Sequence, residues 1–189
     1  MMQNFFRRFT LSHTDKQPST SGLHHGSSSK SRFSVDWVLP GQLAVGRLPR
    51  ATDGQVLQEA GIRTVFALCD ESEGAWPVNL QEQFRCLRYV LPDSRYSTRP
   101  TAQQVGEVIR LVHHSIEKSE PVFVHCLAGI ERSPSICTAY LCCYQHLPLW
   151  QALNWLKQVH PNSRPNDFQI QAIRDYLEQQ QSWSDRAIV

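Results

Sequence analysis

The sequence predicts an α/β domain built on a single central sheet, mixed and mostly parallel, with helices on its flanks. Three observations predict it. From Phe33 onward, short β-branched runs alternate with segments that carry apolar residues at helical spacing, the pattern of a sheet covered on both faces. One such run, Val122-Phe123-Val124, passes across a glycine-containing loop into the helical series Ile136, Ala139, Tyr140 and Cys143. With 189 residues and 41% hydrophobic content, the chain is long enough to bury the core of one domain and to carry an appendage.

The elements follow in order. Val35 to Leu39 and Leu43 to Val45 are expected as short strands joined through the turn signal Pro40-Gly41. Thr52 is expected to cap a short helix that runs through Ala60 and ends at Gly61. Ile62 to Leu68 is an apolar, buried strand, and Cys86 to Leu91 is another. Thr101 is placed to cap a helix with Val105, Val108, Ile109, Val112 and Ile116 on one face. After the loop strand and its helix, Trp150 to Val159 and Asp167 to Gln180 are helical by spacing. The expected division is a disordered tail over residues 1–32, a domain over 33–181 and a short tail over 182–189.

Charge divides along the same boundary. Residues 1–32 carry Arg7, Arg8, Lys16, Lys30 and Arg32 against Asp15, a net +4, so the overall +2 leaves residues 33–189 at −2. The folded part is therefore not read as a nucleic-acid binder. The first segment is rich in serine and poor in apolar residues after Phe9, which cannot offset the entropy of ordering. Its Phe5-Phe6-Arg7-Arg8-Phe9 opening also has the basic, acid-poor character of an organelle transit peptide. Six cysteines without paired metal-ligand spacing, and no secretory signal before them, are the pattern of a reduced chain. A cytoplasmic monomer without a membrane span is the expectation. His24, His25, His113 and His114 have no cysteine or carboxylate partner at ligand spacing, so neither a metal nor a cofactor is expected.

The chemistry concentrates in His125-Cys126-Leu127-Ala128-Gly129-Ile130-Glu131-Arg132-Ser133. On a strand-to-helix turn, the backbone N–H groups of Leu127 to Arg132 can converge on one point, and the following helix directs its unsatisfied N–H groups and positive dipole end there. That environment favours a phosphate dianion, and equally a thiolate, the nucleophilic form of Cys126. Arg132 offers a planar, permanently charged fork for two phosphate oxygens. Gly129 permits a backbone conformation or a closeness that a side chain would obstruct. Ser133 can donate a hydrogen bond to the sulfur, and Pro134 suits a first helical turn. Thiolate attack on a phosphate ester also needs the leaving oxygen protonated. Asp93, which follows Pro92 at the carboxyl end of a strand, is the expected acid, with Asp70 and Glu71 at another strand end in reserve.

The run HCLAGIERS resembles the signature of the cysteine-based protein tyrosine phosphatases. Leu91-Pro92-Asp93, thirty-three residues before Cys126, is similar to their dual-specificity branch, as are Pro40 to Gly46 and Ser163-Arg164-Pro165-Asn166-Asp167-Phe168 with Gln171. The likeness covers about residues 33–180 and implies that family's fold. It also implies roles: Cys126 as nucleophile, Arg132 as phosphate clamp, and Asp93 as acid and then base. Ser133 is implied to help the thiolate leave, and His125 to tune the cysteine. Two departures matter. Glu131 puts an acid into an anion loop, and no lysine stands in that loop, which tilts the expected substrate toward a phosphoprotein over an inositol lipid. Cys69, at the end of Phe66-Ala67-Leu68, resembles the cysteine that traps the oxidised nucleophile in the phosphatase and tensin homologue group, which makes it a candidate redox partner; a packed cysteine is the other reading. Rival functions are a phosphate reader that does not turn over its ligand, a phosphatase for a phosphoinositide, and a sulfur transferase of the rhodanese type.

Overall fold

The strand that ends in the signature cysteine lies in the middle of the sheet. The computed structural model describes residues 33–186 except Ser94, Tyr96 and Ser97, with backbone alone over 181–186; the expected tail over residues 1–32 lies outside the described residues. The strands are β1 (Asp36–Leu39), β2 (Leu43–Arg47), β3 (Thr64–Ala67), β4 (Arg85–Arg88) and β5 (Val122–Cys126), in the spatial order β1-β2-β5-β3-β4. β1 and β2 pair antiparallel, and the other three pairings are parallel, so the mixed, mostly parallel sheet is what forms. The β1–β2 connection is tight enough for a hairpin: Gly41 takes φ +69°, and Gln42 N–H donates to the Leu39 carbonyl at 3.0 Å.

Among the described residues six helices accompany the sheet: α1 (Gly54–Glu59), α2 (Val78–Gln83), α3 (Ala102–Glu117), α4 (Arg132–Tyr144), α5 (Leu149–Val159) and α6 (Asp167–Arg186). Thr101 caps α3 as expected: its hydroxyl accepts from Gln104 N–H while the Gln104 side chain returns to Thr101 N–H. Thr52 does not cap. It is exposed inside one 3₁₀ turn, Ala51–Asp53, and the carboxylate of Asp53 accepts from Arg50 N–H at 2.8 Å and from Arg47 Nη1 at 3.1 Å. A carboxylate that meets an N–H and a guanidinium together outcompetes a neighbouring hydroxyl. The strand expected through Leu91 is assigned only to Arg88, although Tyr89 and Leu91 still donate to the Ala67 and Leu68 carbonyls. α2 was not expected, because six residues carry too little periodicity to reveal a helix. α6 continues past Gln180 to Arg186.

Strand alternation sorts the core. Ala44, Val65 and Phe123 share a face with Leu57, Ile62, Leu80 and Phe84 from the α1 and α2 region. The opposite face receives α4, whose residues Arg132 to Cys142 are all buried. Along β5 the same alternation sends His125 toward the first face and Cys126 toward α4.

Candidate active site

Cys126 closes β5 and is 3% exposed. Its sulfur accepts from Gly129 N–H at 3.3 Å and lies 3.4 Å from the Ser133 hydroxyl, whose single proton is shared with the Gly46 carbonyl at 3.1 Å. On the far side, Trp76 Nε1 donates to His125 Nε2 at 2.9 Å. An indole nitrogen can only donate, so the His125 proton must sit on Nδ1, 3.2 Å from the Cys126 carbonyl. Burial holds His125 neutral, its pKa pushed down to about 3.

The loop from Leu127 to Glu131 is turned inside out with respect to its backbone. Its carbonyls face the protein: Leu127 O accepts from Leu48 N–H, Gly129 O faces His160 Nε2, and Ile130 O accepts from Arg164 N–H. Gly129 N–H goes to the sulfur, and none of the N–H groups of Leu127, Ala128, Ile130, Glu131 and Arg132 donates to an acceptor among the described residues. A set of unsatisfied donors around one sulfur, at the N-terminus of α4, is an anion cradle. Gly129 is required twice over. It takes φ +73°, and a Cβ there would lie 2.6 Å from Arg47 N and from the Gly46 carbonyl carbon.

Arg132 starts α4 and is almost fully buried. Its Nη1 and Nη2 meet the two oxygens of Glu73 at 2.8 and 2.6 Å, and Nη2 also meets Asp93 Oδ2 at 2.8 Å. Burial works against the guanidinium charge, but Glu73, Cys126 and Asp93 together outweigh it and raise its pKa. Glu73 in turn is held below the usual carboxylate range, chiefly by Arg132. Asp93 accepts from Arg95 N–H and Nε, both at 2.9 Å, and from Arg95 Nη2 at 3.1 Å. Those bonds, with Arg132 beyond them, bring its pKa down to about 2. A cavity of about 280 Å³, lined by Asp93, Arg95 and the loop between Cys126 and Arg132, opens in front of the sulfur.

Cys126, Gly129, Arg132, Ser133, His125 and Asp93 thus come together. Asp70 and Glu71 do not join them: Asp70 is exposed and accepts from Ser72, and Glu71 is exposed. The carboxylate that this strand end delivers to the site is Glu73, which sequence reasoning missed along with Trp76 and His160. Glu131 accepts from Asn166 Nδ2 at 3.4 Å. Cys69 is fully buried just beyond β3, and burial raises its thiol pKa, with the charges of Arg132 and Cys126 acting on it. His113 packs into the core side of α3, stacked on Tyr144 with Nδ1 3.1 Å from the Tyr140 hydroxyl. Among the described residues no group of three or more His, Cys, Asp or Glu is placed to hold a metal ion.

Comparison with known proteins assigns this arrangement to a family. The model of the dual specificity phosphatase catalytic domain matches residues 44–179, and the chain belongs to that family. Among similar proteins, the dual specificity protein phosphatase 14 of Mus musculus is 33% identical over 125 residues, covering 66% of this chain and 60% of the relative. That of Homo sapiens is 30% identical over 138 residues, covering 72% of this chain and 66% of the relative. The chain thus spans less than two thirds of the length of either. The fold matches the crystal structure of human tyrosine phosphatase-like serine/threonine/tyrosine-interacting protein with a TM-score of 0.69 at 22% identity, covering 78% of this chain and 97% of that one.

Proposed function

We propose that the chain is a cysteine-dependent phosphatase that hydrolyses phosphotyrosine, with phosphoserine and phosphothreonine as further substrates, on phosphorylated proteins. The observation that carries the reading is the Cys126 sulfur held by Gly129 N–H in a loop whose other N–H groups, from Leu127 to Arg132, have no acceptor among the described residues, with Arg132 beside it and Asp93 on its guanidinium. In the first step the Cys126 thiolate attacks phosphorus, the ester P–O bond breaks, and protonated Asp93 gives its proton to the leaving oxygen. The cradle N–H groups and Arg132 stabilise the equatorial oxygens as charge builds. In the second step Asp93, now a carboxylate, takes a proton from water as the water attacks phosphorus; the S–P bond breaks and Cys126 leaves as thiolate, assisted by Ser133. Every step uses groups of the chain itself, so the reaction is expected to continue with a chelator present.

The relatives named as dual specificity protein phosphatases and the absence of lysine from the loop support a protein substrate. A cytoplasmic monomer is the proposed form, and no helix among the described residues is long and apolar enough to cross a membrane. The test is turnover of an aryl phosphate in chelator, followed by profiling of a Cys126→Ser trap on phosphopeptides and phosphoinositides. Retained binding with turnover abolished supports the reading. Wild-type binding without turnover would make the domain a phosphate reader, and preferential capture of phosphoinositides would reassign the substrate. Asp93→Asn should lower the rate most for substrates with poor leaving groups.

A further inference from the structure

His160, at the C-terminal end of α5, is nine-tenths buried between β1 and the phosphate loop. Its Nδ1 lies 2.6 Å from Asp36 Oδ2, and its Nε2 lies 2.6 Å from the Gly129 carbonyl oxygen. A carboxylate and a peptide carbonyl are both acceptors, so each ring nitrogen has to donate. An imidazole with two N–H groups is the cation. The short distances are those of charge-assisted bonds. Burial opposes the charge, but the bonds to Asp36 and Gly129 outweigh it and lift the pKa above its usual value. The charged groups that face the ring are Asp36 from β1, which also accepts from Ser34, and Lys157 from α5, which works in the opposite direction while its ammonium donates to the Pro161 and Ser163 carbonyls.

In a trans peptide the carbonyl and the next N–H point in opposite directions. Pulling Gly129 O back onto His160 therefore aims Ile130 N–H into the cradle. We propose that His160 is a positioning residue for the phosphate loop: as an imidazolium bridging Asp36 and Gly129 it orients Ile130 N–H, places a positive charge behind the bound anion, and makes anion binding depend on one proton. The protonated form is the stabilising one. Its contribution is complete below about pH 6.5 and is lost as pH rises through the raised value.

The proposal deepens the phosphatase reading, but its first test stands apart from turnover. Ring-nitrogen NMR on the full chain should show both His160 nitrogens protonated at neutral pH, with a midpoint above about 6.5. Sulfate, dianionic throughout, is the binding probe, in a Cys126→Ser background that leaves no nucleophile at the site. Its affinity should fall through the same midpoint. His160→Gln should weaken sulfate about tenfold and erase the midpoint; His160→Arg, a permanent cation, should keep binding and also erase it. An unprotonated ring nitrogen at neutral pH, or a folded His160→Gln chain with wild-type affinity and pH dependence, overturns the proposal. If sulfate binding behaves as stated while aryl phosphate is not hydrolysed, the phosphatase reading fails and this one stands.

Discussion

Glu73→Gln asks whether the second carboxylate serves the phosphate site or competes with substrate for it. In the structure Glu73 grips Arg132 at two points, 2.8 and 2.6 Å, and the side chains are only 14% and 5% exposed. Hydrogen bonds to charged groups in such a setting contribute about 1.5–3 kcal/mol each. In the variant, one amide oxygen still accepts and Asp93 Oδ2 stays at 2.8 Å, while the amide NH₂ now faces a guanidinium donor. The net loss is therefore about 2–3 kcal/mol, visible in urea unfolding as a lower midpoint at unchanged slope. Function should fall further than stability. Glu73 fixes the guanidinium end of Arg132 and so the angle at which its other donors meet phosphate, and a misplacement near 1 Å costs about a hundredfold. The expected kcat/KM for an aryl phosphate is lower by about two orders of magnitude. A variant with lower KM, or with unchanged stability, would show that Glu73 opposes the substrate, and the reasoning would be refuted.

Two further outcomes follow from the loop and its surroundings. Gly129→Ala combines about 1–2 kcal/mol of left-handed backbone strain with a Cβ 2.6 Å from two backbone atoms of β2 that cannot move aside as a side chain could, so kcat/KM should collapse while the chain remains folded by circular dichroism; wild-type turnover would mean that the loop is not held against β2. Cys69 sits buried beyond β3, and peroxide treatment followed by peptide mapping separates its two readings: a Cys69 to Cys126 disulfide makes it a redox partner, and recovery of Cys126 only in higher oxidation states leaves it a packing residue.

The part of the site that could be read from the chain is the part that is local in it. Cys126, Gly129, Arg132 and Ser133 fall within one strand-to-helix turn, where hydrophobic periodicity and residue types together define the geometry. Asp93 was reachable by the rule that strand ends on the carboxyl side face the crevice. The residues that hold these groups in place are distant in sequence: Glu73 is 59 positions from Arg132, Trp76 is 49 from His125, and His160 is 31 from Gly129. Only the packing of the turn after β3 and of the end of α5 against the loop brings them in. Asp70 and Glu71 named the right strand end, but the turn at Asp70 to Gly74 carries the chain round and delivers Glu73 in their place. Thr52 failed for a related reason: its neighbour Asp53 has a guanidinium partner from β2 that no local pattern reveals.

Under the proposed reaction, the geometry around Asp93 has to change during turnover. A general acid must hold a proton, yet Arg95 first and Arg132 with it keep this carboxyl near about 2. Its folded pKa is depressed, so the stability it contributes is present above about pH 3.9 and is lost as pH falls through the folded value. A bound phosphate reverses the balance. The dianion competes for Arg132 Nη2 and adds negative charge beside Asp93, both of which raise the pKa of the carboxyl. The alkaline limb for Asp93 should therefore lie at higher pH in kcat, which reports the complex, than in kcat/KM, which reports the free enzyme. Arg95→Ala removes the largest cause of the depression. It should move the kcat/KM limb upward for a substrate with a poor leaving group, and lower stability at neutral pH, where the Asp93 to Arg95 pairing is fully formed. An Arg95→Ala chain whose limb stays in place or moves down would mean that Arg95 is not what restrains the proton of Asp93.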